Sequence, residues 1–292
     1  MSSVLTRFLA KRNGTSPNGE MSFIDHIEEL RWHIIRSIIA VVVGATIAFI
    51  KFNWIFDTII LGPSKPEFVS YRWFCALGKA LHIDSFCMQN AEFTFQSQEL
   101  SGQFMTALSS SMMIGFILAF PFIFWEFWKF LKPALKPEEA KYARGIVLWT
   151  SLLFFLGISF SYFVIVPFTV NFFAGYKISD RIQNIFTISN YYDTLSNLTL
   201  SIGLVFELPI IVFFLSRVGI VTPKFLKKQR RYAYFIIFIV AEIITPPDWF
   251  SCFLVAIPMW GLYEASIGIS RRAMDARNKR LISRELSTNS EI

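Results

Sequence analysis

Long stretches without a single charged residue constrain the fold of this chain most. The runs Phe104–Trp125 and Gly145–Tyr176 contain no charged residue at all. An α-helix needs about 20 mostly apolar residues to cross the roughly 30 Å hydrocarbon core of a bilayer. With 54% hydrophobic residues, the chain has more such runs than a soluble core needs. The sequence predicts an all-α, polytopic membrane protein with six spans over 37–50, 104–125, 145–176, 194–216, 232–245 and 249–263.

The first and third runs do not match one span in length. Arg36 and Lys51 flank the first run and can extend toward the headgroups, so the first helix is expected to exceed 37–50. The run 145–176 is longer than one span, and we expect loop at its end.

The last two runs are each shorter than a normal span. A single long helix over 232–263 is the alternative, but Pro246 and Pro247 argue against it. Each proline lacks an amide donor, and proline pushes the residue before it out of the helical region. A tight turn between two short helices is therefore predicted. Polar flanks would extend these helices, or the bilayer would thin around them.

Positive charge is distributed unevenly over the two sides of this topology. Of the 28 lysine and arginine residues, all but six fall on one side; the six are Lys51, Lys65, Arg72, Lys79, Lys177 and Arg181. Because basic residues accumulate on the cytoplasmic side, both termini are expected in the cytoplasm. The net charge of +7 follows from this bias and from anionic lipid, so no nucleic-acid partner is required.

Glu207 is the only charged residue between Thr194 and Ser216, and Pro209 follows two positions later. An unpaired carboxylate in hydrocarbon costs several kcal/mol, so it normally faces a protein interior or a wet cavity. One interpretation is a polar group that ties helices together. The other is a site or passage for a polar solute or peptide.

Motifs for catalysis, nucleotide binding and metal binding are absent from the sequence. The chain contains no phosphate-binding G-x-x-x-x-G-K-[ST], no H-E-x-x-H and no G-x-S-x-G. We therefore expect neither an enzyme nor a cofactor. Cys75 and Cys87 fall in one long outside loop, where they form either a disulfide or two free thiols. His82 lies between them, but this spacing does not favour a metal site.

Two pairs of carboxylates are predicted at the cytoplasmic face. Ser22 and Asp25 form a helix-start pattern, which opens an amphipathic helix running along the membrane surface into the first span. Asp25 and Glu29 lie on its polar side. Glu138 and Glu139 follow Pro137, as at an ordinary helix start. Taken alone, both pairs are typical of solvated surface charges.

Several motifs together resemble the TatC family of the twin-arginine translocase. They cover about residues 22–270 in matching order, and each motif alone is weak. They are H-x-x-E-L-R at 26–31, F-x-x-P-A-L-x-x-x-E at 130–139, F-E-x-P at 206–209, R-R-Y at 230–232, T-P-P-D at 245–248, and I-P through Y-E at 257–264.

This resemblance implies a function in protein transport. The family receptor binds signal peptides with two adjacent arginines and exports folded proteins across the bacterial inner membrane. It is driven by the proton-motive force. TatA-type and TatB-type single-span subunits are its implied partners, together with the lipid bilayer and further copies of itself. It has six spans with cytoplasmic termini.

The resemblance also assigns roles to individual residues. Signal-peptide binding maps onto Glu29, Phe130 and Glu139. Functional polar groups in or near the membrane map onto Glu207, Asp248 and Glu264. The expected organisation is a flexible cytoplasmic N-terminus over 1–20, a six-span membrane domain over 21–270 and a basic cytoplasmic tail over 271–292.

Three features depart from the family pattern. Cys252 replaces a common glutamine, Glu242 is an added carboxylate, and the loop with the two cysteines is long. A proton-coupled secondary transporter of a small solute, with Glu207 and Glu242 as relay, is the alternative function. A purely structural scaffold is a third interpretation.

Overall fold

The computed structural model describes residues 23–82, 94–131, 143–179, 181, 184–246 and 249–289. Helices dominate these ranges, which confirms the all-α class. The helices are α1 (Phe23–Ile50), α2 (Phe52–Ile55), α3 (Val69–Leu81), α4 (Gly102–Leu131), α5 (Ala143–Phe160), α6 (Val166–Gly175), α7 (Ile188–Val205), α8 (Leu208–Val218), α9 (Pro223–Lys228), α10 (Arg230–Ile244) and α11 (Trp249–Asn289). A π-helical turn, Phe56–Ile60, and a 3₁₀ turn, Gly62–Ser64, follow α2.

Five helical rods in the described residues are long and apolar enough to cross a membrane. They are His26–Ile50, Gly102–Leu131, Gly145–Gly175, Ile188–Val218 and Trp249–Asp275. Helix α10 has only 15 residues, which is short of the usual span. A multi-pass membrane protein is thus confirmed, while the count of six spans and the side of the termini stay predictions.

The last two predicted spans are separate helices. Helix α10 ends at Ile244, and Thr245 already has extended backbone angles, with φ −85° and ψ 152°. A residue before proline avoids the helical region, so Pro246 accounts for this ending. The alternative of one long helix is wrong. Helix α11 then continues to Asn289, through most of the segment predicted as a cytoplasmic tail.

Two other expectations about boundaries need correction. The loop expected at the end of 145–176 is wrong, because helix continues to Gly175 through a π-helical turn at Ser161–Ile165. The Tyr162 hydroxyl in this turn donates to the carbonyl of Ile59 at 2.6 Å, tying the rod to the segment after α2. Near the start of the chain, α1 is one continuous helix. The predicted surface helix and the first span are therefore not separate elements.

The long loop between the first two predicted spans contains ordered structure. Helix α3 lies within it, and the Tyr71 hydroxyl of α3 donates to the Pro63 carbonyl at 2.7 Å. Strands β1 (Phe95–Gln96) and β2 (Phe186–Thr187) form a two-stranded parallel ladder with Phe95 opposite Phe186. The ladder joins the segment before α4 to the start of α7.

The main hydrophobic core surrounds α7 and includes buried side chains of α4, α6, α10 and α11. Phe154 of α5 is fully buried and stacks on Phe120 of α4, with ring centroids 3.6 Å apart. Leu195 and Leu198 of α7 are also buried. By contrast, α1 exposes a row of aliphatic side chains that would face lipid: Ile38, Ile39, Val42, Val43, Ile47 and Ile50.

Candidate functional site

Helix α1 and the last turn of α4 bring two of the predicted binding residues into one place. Glu29 lies on α1, and Phe130 is the second-to-last residue of α4. The His26 ring stacks on the Phe130 ring, with centroids 4.3 Å apart and planes inclined by 16°. The His33 ring meets the same Phe130 ring edge-on, with ring centroids 6.3 Å apart. Glu139, the third predicted binding residue, lies outside the described residues.

A buried carboxylate holds this junction of the two helices together. Glu126 of α4 is only 1% exposed. Its Oε2 accepts a hydrogen bond from His33 Nδ1 at 2.6 Å, and its Oε1 accepts one from Lys129 Nζ at 2.7 Å. Arg36 adds a longer contact of 3.5 Å to Oε2. Such donors offset the free-energy cost of burying a carboxylate, so these contacts fix the positions of the Glu126 and His33 side chains relative to each other.

Glu29 is less completely paired than Glu126. Its Oε1 lies 3.9 Å from His33 Nε2, which is an ion-pair distance rather than a hydrogen bond. Its Oε2 is buried and has no hydrogen-bond partner among the described residues. This oxygen is therefore a hydrogen-bond acceptor that no described residue uses.

The chemistry of this junction suits a guanidinium group. A carboxylate can accept two parallel N–H bonds from a planar guanidinium, whereas an ammonium offers only a point charge. Aromatic faces also attract guanidinium cations. Glu29 and Phe130 would supply these two features on neighbouring helices.

Glu207 occupies a break between two helices inside the fourth rod. Its N–H donates to Leu204, three residues back, at 3.1 Å, and α7 ends at Val205. Pro209 is the second residue of α8. Since proline has no N–H and its ring crowds the carbonyl four residues back, Pro209 favours an interruption of the helix here.

The Glu207 side chain is buried but has no described partner. It is 7% exposed, and neither carboxylate oxygen has a hydrogen-bond partner among the described residues. The backbone of Phe154 on α5 lies close to this carboxylate, but its geometry falls short of a regular hydrogen bond. A carboxylate that tied helices together would normally be hydrogen-bonded to a neighbouring helix, and no described residue forms a regular hydrogen bond of this kind with Glu207.

Glu264 has the opposite environment. Its two oxygens accept hydrogen bonds from Arg230 and from the Tyr234 hydroxyl, both on α10. The contact fastens α10 to α11, which points to a structural contribution. Asp248, the remaining predicted polar residue, lies outside the described residues.

The cysteines and the added glutamate are placed as follows. Cys75 lies on α3 and is disulfide-bonded, whereas Cys87 lies outside the described residues, so their pairing stays a prediction. Cys252 is a buried thiol at the start of α11. Glu242 is exposed on α10, whereas Glu207 is buried. Within the described ranges no group of His, Cys, Asp or Glu side chains could hold a metal ion.

Sequence reasoning missed Glu126, His33 and the stacking of His26. Signals for them were present, because Glu126 directly follows a charge-free run and lies three residues before Lys129. His33 lies four residues after Glu29, on the same side of a helix. Their pairing across two helices was not visible in the sequence.

Comparisons with known proteins agree with this architecture. The family model described as Sec-independent protein translocase protein (TatC) matches residues 25–258. A TatC of Blattabacterium sp. subsp. Periplaneta americana is 43% identical over 253 residues, covering 86% of this chain and 95% of that protein. The TatCy protein of Bacillus subtilis is 33% identical over 254 residues, covering 87% of this chain and 90% of that protein.

A solved structure matches as well. The crystal structure of the twin arginine translocase receptor TatC in DDM has a TM-score of 0.67 and 29% sequence identity. The match covers 84% of this chain and 99% of that one. The chain therefore belongs to the TatC family of Sec-independent protein translocase proteins.

Proposed function

We propose that this translocase subunit is the receptor for signal peptides with two adjacent arginines. The observation that carries the proposal is the α1–α4 junction. There Glu29 has a carboxylate oxygen without a hydrogen-bond partner among the described residues, and His33, which Glu29 approaches, also meets the Phe130 ring. Membership of a translocase family supplies the transport role, and the junction supplies a place where an arginine side chain fits.

Glu29 and Glu139 would each accept one guanidinium of the signal peptide. Phe130 would pack on an arginine or on a neighbouring apolar residue of the peptide. The His26 ring already stacks on Phe130, so the Phe130 ring is held in a fixed orientation. A pre-oriented ring and carboxylate lower the ordering cost of binding.

The membrane part of the proposal concerns assembly and energy supply. We propose that the protein lies in the bacterial inner membrane with both termini in the cytoplasm. It would work with TatA-type and TatB-type single-span subunits and with further copies of itself, driven by the proton-motive force. Glu207, buried without a described partner, would be a functional group of the passage for folded cargo.

The alternative of a small-solute transporter gains no support. The family model and the relatives named above are all described as protein translocase components. In addition, Glu242 is exposed on α10, whereas Glu207 is buried at the α7–α8 break, so the two carboxylates of the supposed relay have different environments.

The experiment is a titration of the purified protein with a twin-arginine signal peptide and its Lys-Lys counterpart. Breaking one charged contact should weaken binding of the Arg-Arg peptide by roughly 1.5–3 kcal/mol, about tenfold to a hundredfold. Glu29→Ala and Glu139→Ala should therefore lose most of the Arg-Arg preference.

Neighbouring glutamates provide matched controls. Glu28 lies on the same helix as Glu29, but it is exposed and pairs with Arg31 at 3.5 Å. Glu28→Ala and Glu138→Ala should keep the preference for the Arg-Arg peptide. If all four variants keep it, these carboxylates are ordinary solvated charges and the proposal is wrong.

A further inference from the structure

Glu126 contacts both sides of the proposed guanidinium site, although it does not line that site. On α1 it accepts from His33, whose other ring nitrogen faces Glu29. On α4 it accepts from Lys129, the residue directly before Phe130. Glu126 is thus linked through His33 to Glu29, which would accept the arginine, and it contacts the chain neighbour of Phe130, which would pack on the peptide.

The contact with His33 fixes the orientation of the imidazole ring. A carboxylate can only accept hydrogen bonds, so Nδ1 of His33 must donate to Glu126. The ring is 8% exposed, and its edge also meets Phe130. With Nδ1 held at 2.6 Å, Nε2 is directed toward Glu29 Oε1 at 3.9 Å. In metal sites a carboxylate often orients a histidine in the same way, by accepting from the ring nitrogen that does not face the ligand.

We propose that Glu126 is a positioning residue that, through His33, sets how Glu29 presents its carboxylate to the signal peptide. This proposal rests on the function proposed above. Burying a charged cluster adds little net stability compared with apolar packing, so its geometric role is the better reason for its presence here.

Positioning of this kind acts on selectivity between arginine and lysine. The guanidinium fork forms two parallel hydrogen bonds only with a carboxylate in the matching plane, whereas an ammonium tolerates many directions of approach. Loss of orientation should therefore weaken the Arg-Arg peptide more than the Lys-Lys peptide. A residue that only stabilises the fold would change the amount of protein and both affinities together.

The test uses the full-length protein in detergent and measures the affinity ratio of Arg-Arg to Lys-Lys peptides. Glu126→Gln preserves the shape and one acceptor but removes the charge that holds His33, Lys129 and Arg36. We expect the ratio to fall about tenfold, the effect of roughly 1.4 kcal/mol. His33→Gln should give a similar fall. Glu264→Gln is the control, because it removes another hydrogen-bonded carboxylate at the α10–α11 contact.

A double variant examines whether Glu126 acts through His33. If it does, Glu126→Gln with His33→Gln should lower the ratio no further than either single change, since coupled residues are not additive. If the double variant instead lowers the ratio by the product of the two single effects, Glu126 does not act through His33 and the proposal is overturned. Should Glu126→Gln fail to accumulate, His33→Gln and Lys129→Met carry the test, because each removes one contact and leaves Glu126 its other donors.

Glu29→Gln separates this proposal from the one on which it rests. If Glu29→Gln loses the Arg-Arg preference and neither Glu126→Gln nor His33→Gln does, the positioning role is wrong and the binding site stands. If Glu29→Gln itself keeps the preference, the binding site is wrong, and the positioning role is overturned with it.

Discussion

Gly115 on α4 lies so close to α1 that a Cβ atom at this position would be 2.4 Å from the backbone nitrogen of Ala45. The same Cβ would lie 2.7 Å from the carbonyl oxygen of Val41. Gly44 faces Gly115 from α1, where an added Cβ would be 3.1 Å from Gly115 Cα. Backbone atoms cannot yield as a side chain can, so the two helices approach this closely only with glycine at Gly115.

Gly115→Ala is therefore expected to destabilise the protein although alanine favours helices. Overpacking of this kind costs about 1–3 kcal/mol, because α1 and α4 must move apart. The measurement is thermal unfolding of the purified protein in detergent. Gly261→Ala is the control, since no atom lies within 4 Å of its added Cβ. Equal melting temperatures for both variants would contradict the close packing.

Glu207→Gln is expected to impair export while the protein still inserts and accumulates. The change keeps shape and hydrogen-bonding capacity and removes the charge of a side chain that no described residue pairs. Export should slow by on the order of tenfold, whereas stability should hold or rise, because an uncharged amide costs less to bury. The readout is transport of a folded reporter alongside protein level. Glu242→Gln, at an exposed carboxylate of α10, should export normally, and normal export by Glu207→Gln would rule the idea out.

Glu264→Gln is expected to loosen α10 from α11 without affecting peptide binding. The change weakens the contacts with Arg230 and Tyr234. Because Arg230 and Glu264 are partly exposed, the loss should be about 1 kcal/mol rather than that of a buried pair. Thermal unfolding in detergent measures this loss of stability. Tyr234→Phe measures the part of it that comes from the Tyr234 hydroxyl. An altered preference for Arg-Arg peptides would show that Glu264 has a binding role after all.

The cysteine pairing has a direct chemical test. Cys75 is expected to be bonded to Cys87, which would restrain the long outside loop between the first two predicted spans. Alkylation of non-reduced protein followed by mass spectrometry should leave both unlabelled. Cys252, a buried thiol, should be alkylated only after unfolding, so its labelling shows that the whole chain was accessible to the reagent. Labelling of Cys75 and Cys87 without a reductant would contradict the bond.

Sequence reasoning was most successful where the physical signal is local. Charge-free runs predicted the membrane class, and Pro246 predicted the separation of α10 from α11, because chain geometry near proline depends on neighbouring residues alone. The binding roles predicted for Glu29 and Phe130 came only from family resemblance. The Glu126–His33 contact joins residues 93 positions apart, and it exists because α1 and α4 pack at glycines, which charge and hydropathy patterns do not reveal.

The small β1–β2 ladder requires an even number of membrane crossings between its two strands. Phe95 and Phe186 pair through backbone hydrogen bonds, so both must emerge at the same surface of the bilayer. Between them the chain passes through α4 and then through the rod formed by α5 and α6. An odd number of crossings would leave the strands on opposite surfaces. The α5–α6 rod must therefore return the full distance that α4 covers, and neither element can be a re-entrant half-crossing unless both are.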